Sequence, residues 1–260
     1  MPVDNEMYNR TNDIWWDENE VLHLLRTSIN PGRFGYFRQV LVEKLRIDPR
    51  GKKTLDVGCG RGILAEEFAQ LGCIVTGIDP SEPSLATARR HARQSGLSIN
   101  YQAGAGENIP FADASFDIVY CCDVLEHVKD LERVIAEINR VLKKDGIFLY
   151  DTINRTFPSK LVMLKLFQEW KATSIMPPNL HDWNMFIKPN ELRVLMKRQG
   201  LELKEVQGLK PGTHPISLIG LLRQRKQGKM SLMEFSKRVQ FQQSKDTSIL
   251  YAGYAVPSQK

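Results

Sequence analysis

The chain predicts an α/β fold, a mostly parallel sheet of the doubly wound kind with helices on both faces. Three observations predict it. Residues 54–62, Thr-Leu-Asp-Val-Gly-Cys-Gly-Arg-Gly, read as a strand running into a glycine-rich turn that opens a helix. Glycines suit such a turn because they let backbone approach a ligand closely. A second strand then ends in an acid, Asp79, 21 residues after Gly58. An acid about 20 residues past such a turn lies where a ribose would be held. Beyond it, short apolar strands alternate with segments of helical period, the pattern of a parallel sheet covered on both sides.

The elements follow in order. Residues 1–11 are polar and expected to be loose. Phe34, Phe37, Val40, Leu41 and Leu45 recur at helical spacing and predict an amphipathic helix over 33–45. Strands are expected at 54–57, 74–78, 99–103, 116–121 and 147–151, with helices at 63–71, 84–95 and 131–142 between them. Pro83 sits near the start of the second of these helices, and Asp145-Gly146 forms a turn after the third. After strand five the alternation stops. Residues 155–180 carry Leu161 to Trp170, an inserted helix with an apolar face too broad to be left in water. A helix at 189–199 and strands at 201–206 and 250–256 complete the chain. The expected organisation is an N-terminal cap over 1–48, a core over 49–154, and an insertion helix, lid and sheet completion over 155–260, all in one domain.

Composition narrows the function. Of 260 residues, 42% are hydrophobic and 25% charged, which is ordinary for a globular protein. No basic-then-apolar leader is read, and no run of about 18 apolar residues predicts a spanning helix. Cys59, Cys73, Cys121 and Cys122 have neither zinc nor disulfide spacing and read as small buried residues in a reducing cytosol. Net charge is +6, but residues 209–245 hold eight Lys or Arg and one acid, so the remainder is about −1. The main body is therefore not a nucleic-acid surface. The basic stretch suits an anionic membrane or RNA, or is a solvated helix face, the commoner outcome.

Candidate site residues cluster at the expected carboxyl ends of strands. Asp56, Gly58 and Gly60 would set backbone groups against a ligand, the alternative being a plain tight turn. Asp79 would accept two ribose hydroxyls or cap a helix. Asp123, Glu126 and His127 lie within five residues. On a helical turn they would share one face and suit a hard cation such as Mg²⁺, which would polarise a phenolic oxygen. The alternative is a loop with a cap and a supporting histidine. His181, beside Asp182, would accept a proton from a hydroxyl, or is a surface histidine. Trp15 and Trp16 are expected to pack in the core or cover the site.

The G-x-G-x-G form of residues 58–62, preceded by Asp56, resembles the S-adenosylmethionine (SAM) loop of class I methyltransferases more than the G-x-G-x-x-G loop for dinucleotides. Further segments resemble one family within that superfamily, the ubiquinone-biosynthesis O-methyltransferases. They are Trp15-Trp16-Asp17, Ile29 to Tyr36 with its Asn-Pro-x-Arg, Val124-Leu125-Glu126-His127-Val128, Thr152-Ile153-Asn154-Arg155, His181-Asp182 and Phe186-Ile187-Lys188-Pro189. The resemblance spans roughly 12–209. It implies a class I methyltransferase fold and SAM contacts at Arg33, Gly58, Asp79 and Cys122, with Cys122 standing where the family often has Met. It also implies metal positions at Asp123, Glu126 and His127, with Asp123 in place of the usual Glu. Arg33 would pair with the SAM carboxylate, or is a surface arginine. The acceptor implied is a polyprenylated catechol or demethylubiquinol, methylated on a phenolic oxygen with His127 or His181 as base. The expected setting is cytoplasmic, with peripheral contact to anionic membrane through Leu161–Trp170 and the basic stretch. Residues 210–249 depart from the family pattern by their length and charge. The rival readings are a methyltransferase for another small molecule and a non-catalytic SAM-binding protein on membrane or RNA.

Overall fold

The computed structural model describes residues 24–177 and 179–258. Trp15 and Trp16 lie outside the described residues. Eight strands form one sheet in the order β3-β2-β1-β4-β5-β8-β6-β7. β1 (Lys53–Val57), β2 (Ile74–Asp79), β3 (Asn100–Ala103), β4 (Phe116–Cys121) and β5 (Leu142–Ile153) run parallel. β8 (Leu250–Pro257) lies antiparallel between β5 and β6 (Leu201–Pro211), and β7 (Phe241–Ser244) pairs antiparallel at the β6 edge.

Alternation along the strands divides the core into two layers. Ile118 and Tyr120 of β4 and Ile147 and Leu149 of β5 face one cluster, which includes Phe37, Leu64, Phe68 and Leu85 from helices Asn30–Arg38, Ile63–Gln70 and Glu82–Gln94. Phe68 stacks on Tyr120 with ring centroids 4.2 Å apart. Val119, Cys121, Phe148 and Tyr150 face the other cluster, against Val134, Ile138, Leu192 and Met196 of helices Leu131–Val141 and Pro189–Arg198. The sheet with helices on both faces is thus as expected. The helix at 33–45 is part of a longer run, with π-wound turns Leu25–Ile29 and Gln39–Lys44 flanking Asn30–Arg38.

Two segments outside the regular alternation resolve what the sequence left open, one of them against an expectation. The basic stretch folds as helices Pro215–Lys226 and Leu232–Arg238 and strand β7. Leu218, Leu221, Leu222 and Phe235 anchor it in the core, while Arg223, Lys226, Lys229, Lys237 and Arg238 are exposed. Its charges thus lie mostly on solvated helix faces, one of the alternatives the sequence left open. The π-wound helix Lys160–Glu169 buries Met163, Leu164, Leu166 and Phe167 against the protein. The expectation that Leu166 and Phe167 face a membrane is therefore corrected: that face covers the fold's own apolar interior.

Candidate functional site

Sheet order reverses between β1 and β4, and ligands of open α/β sheets bind at the carboxyl ends of strands beside such a reversal. A cavity of about 500 Å³ opens there, within the roughly 300–1,000 Å³ common for small-molecule sites. Arg33, Asp56, Gly58, Gly60, Asp79 and Cys122 all line it.

The turn after β1 shows why glycine is needed. Gly58 and Gly62 sit at φ +75° and +81°, in the left-handed region. A Cβ on Gly58 would collide with the Val124 side chain, so glycine is what lets the loop after β4 pack directly against this turn. The turn is tied down by Gly58 and Cys59 N–H groups donating to Ile78 O, each at 2.9 Å. At the end of β2, Asp79 Oδ2 accepts the Gly60 N–H at 2.9 Å and Oδ1 accepts the Ser81 N–H at 2.8 Å. Burial raises the Asp79 pKa, and those two donors oppose the rise. Asp56 is pushed up to about 8, mainly by burial.

Across the cavity, Arg33 is buried and forked. Its Nε donates to Asp151, one Nη2 hydrogen to Asp123, and Nη1 to Asn30 Oδ1 at 3.0 Å. The arginine is buried and ion-paired with Asp123 and Asp151 rather than on the helix surface.

Residues 124–127 form a turn, closed by the His127 N–H donating to Val124 O at 2.8 Å. Asp123 takes φ +53°. The helical premise for the metal expectation therefore fails. Asp123 is paired with Arg33, and Glu126 is buried with Oε2 accepting the Thr152 hydroxyl at 2.8 Å. Burial, then Asp123, raises Glu126 to about 8, which keeps it protonated at neutral pH. Among the described residues no group of three or more His, Cys, Asp or Glu side chains is arranged to hold a metal ion. The donor set of Asp123, Glu126 and His127 does not fit one.

His127 and His181 do come together, with ring centroids 5.3 Å apart. Burial holds His127 near 4 and His181 near 3, so both imidazoles are neutral at pH 7. His127 also lines a second cavity, bounded by Ile153, Met163, Phe167, Leu180, Phe235 and Leu250 among others. Leu25, Asp123 and His127 belong to both cavities. Sequence reasoning missed Asp151 and this second cavity. Asp151 had a usable signal, being an acid near the carboxyl end of β5, as Asp56 and Asp79 are on β1 and β2. The cavity had none, since its walls are scattered along the chain.

A methyltransferase domain family matches residues 55–150. The ubiquinone biosynthesis O-methyltransferase of Haemophilus ducreyi is 41% identical over 202 residues, covering 75% of this chain and 81% of that protein. The enzyme of the same name from Pelagibacter ubique is 32% identical over 212 residues, covering 78% and 85%. The chain belongs to the ubiquinone biosynthesis O-methyltransferase family. It is a SAM-dependent methyltransferase, and its fold is shared with solved structures at low identity. One is the magnesium protoporphyrin IX methyltransferase (ChlM) of Synechocystis with bound SAH, with a TM-score of 0.58 and 18% identity over 95% of this chain and 89% of that one. Another is a SAM dependent methyltransferase of Aquifex aeolicus, with a TM-score of 0.53 and 15% identity over 84% and 91%. The methyltransferase-domain match runs from within β1 to within β5. Of the second cavity's lining it includes only Asp123 and His127.

Proposed function

We propose that this enzyme methylates a phenolic hydroxyl of a hydrophobic, polyprenylated catechol or demethylubiquinol-like quinol. The observation that carries the reading is the shared wall: a more polar cavity and an apolar one meet at Leu25, Asp123 and His127. The larger cavity suits SAM, because the glycine turn after β1, Asp79 at the end of β2 and the buried Arg33 all line it, the arrangement in which an acid about 20 residues past such a turn accepts ribose hydroxyls. When bound, SAM supplies an electrophilic sulfonium methyl. The protein's remaining tasks are alignment and removal of one proton.

In this reading Asp79 holds the ribose hydroxyls, Arg33 faces the SAM carboxylate, and Gly58, Gly60, Asp56 and Cys122 shape the methionine end. The apolar cavity takes the acceptor ring with its hydroxyl toward His127. A free phenol has a pKa near ~10, far above that of His127, so the proton moves as the oxygen loses electron density to the incoming methyl. Asp123 favours the charged imidazole, and His181 completes the pair. No step is routed through a metal.

Peripheral contact with anionic membrane belongs to the same reading, relocated. Phe157, Leu161 and Trp170 stay exposed beside Lys160 and Lys171, and a polyprenyl tail is delivered from lipid. Flotation with anionic vesicles at low and high salt tests it, and a protein that stays in the soluble fraction at low salt removes it. Among the described residues no helix is long and apolar enough to cross a membrane.

The test of function is incubation with SAM and a panel of catechols and hydroquinones, read by mass spectrometry. Addition of one CH₂ to prenylated members is expected. Turnover only of non-phenolic or fully water-soluble acceptors would overturn the assignment.

A further inference from the structure

Asp151 is fully buried near the carboxyl end of β5 and does not line the cavity, yet it holds two residues that do. Its Oδ2 accepts the Arg33 Nε–H and its Oδ1 accepts the Asp123 backbone N–H at 2.9 Å. The two donors come from segments far apart in the chain, so one carboxylate joins the helix Asn30–Arg38 to the loop after β4. Both attachments constrain something costly. Arg33 is a buried cation, which needs paired donors and acceptors to be tolerated. Asp123 sits at φ +53°, a left-handed conformation that its surroundings must hold in place. Arg33 has five N–H donors. Asp151, Asp123 and Asn30 take three, and two have no described partner on a guanidinium that lines the cavity.

We propose that Asp151 is a positioning residue of the cofactor site: it aims the free edge of Arg33 into the cavity and fixes the left-handed peptide of Asp123 at the wall shared with the acceptor. The inference rests on the reading that this cavity binds SAM. Both carboxylate oxygens are required, because each faces an N–H. An asparagine of the same size has one acceptor oxygen and sets an NH₂ against the other donor, so it cannot satisfy both.

The test is calorimetric titration of SAM into wild type, Asp151→Asn, Arg33→Gln and the double variant, each checked for native circular dichroism and thermal unfolding. Loss of a charged hydrogen-bond partner predicts a ten- to hundredfold weaker Kd for Asp151→Asn. Because Asp151 acts through Arg33, adding Asp151→Asn to Arg33→Gln should cost no more than about threefold further, the non-additivity expected of coupled residues. A purely structural role would not produce that coupling. Asp151→Ser, which also removes the buried charge but leaves less bulk, carries the same prediction if the Asn variant does not fold. Unchanged SAM affinity in a folded Asp151 variant, or losses that multiply in the double variant, overturns the proposal. Failure of the wild type to bind SAM would instead overturn the cavity assignment beneath it, and the proposal with it.

Discussion

The polar cavity and the apolar cavity share a wall but are assembled in opposite ways. All but three residues lining the polar one, Leu25, Asn30 and Arg33, fall between Asp56 and Lys129, in turns that follow parallel strands. Apart from Asp123 and His127, the apolar one takes its walls from residues 24–29 and 153–250, in helices, loops and strand ends that meet only after folding. The first has backbone N–H groups, glycines and carboxylates; the second has Met, Phe, Leu and Ile side chains beside two neutral imidazoles. The difference teaches a division of labour. In the proposed reading, local, strand-anchored geometry serves a cofactor common to many enzymes, and packing between remote segments serves one acceptor.

That division can be broken most severely at the shared wall. His127→Gln should lower kcat by about 10²–10⁴, the range for loss of a general base, with SAM affinity within about threefold of wild type. A comparable loss of SAM binding would show that the wall does not separate cofactor from acceptor. On the polar side, Asp79→Ala should weaken SAM and its demethylated product by roughly ten- to hundredfold, with the KM for acceptor little changed. Calorimetry with both ligands decides it.

The same contrast explains what was legible in the sequence. Gly58, Gly60, Asp56 and Asp79 could be read because a strand, a tight turn and a spaced acid are contiguous signals. All four line the polar cavity. Cys122 is reached only through the family resemblance, while Arg33 has a physical reading of its own, as a fixed cation, that the resemblance strengthens. The ion pairs of Arg33 with Asp123 and Asp151 join residues up to 118 positions apart, which no local pattern reports. Asp123, Glu126 and His127 misled because their spacing suits a helix, whereas the chain there makes a turn with a left-handed residue. The helix Lys160–Glu169 was read correctly as covering something, but its apolar face alone could not say whether lipid or protein lay beneath.

Two smaller effects sharpen the comparison. Phe167→Leu trims the apolar wall, and a change of about 1 kcal/mol should raise the KM for acceptor roughly fivefold while leaving the SAM Kd unchanged. Glu126→Gln should leave activity within about twofold, because the buried acid is already protonated, and chelator treatment should leave the rate unchanged for the same geometric reason. Its signature is instead in stability. With Glu126 raised to about 8 from an unfolded value near ~4.3, the native state holds a proton that the unfolded chain releases between those values. Wild-type stability therefore falls as pH rises through that window. The Gln variant lacks this contribution, so its advantage over wild type should grow from pH 5 to pH 8, as followed by urea unfolding. A flat difference would place an ionised Glu126 in the core.

The most direct test of the two-cavity account compares kcat/KM for a prenylated catechol with that for the same ring without its prenyl group, at saturating SAM. Each buried CH₂ contributes about 0.8 kcal/mol, so even a short apolar substituent seated among Met163, Phe167 and Leu180 should favour the prenylated acceptor by at least about tenfold. Equal turnover of the two, or preference for the bare ring, would contradict the assignment of the apolar cavity to the acceptor.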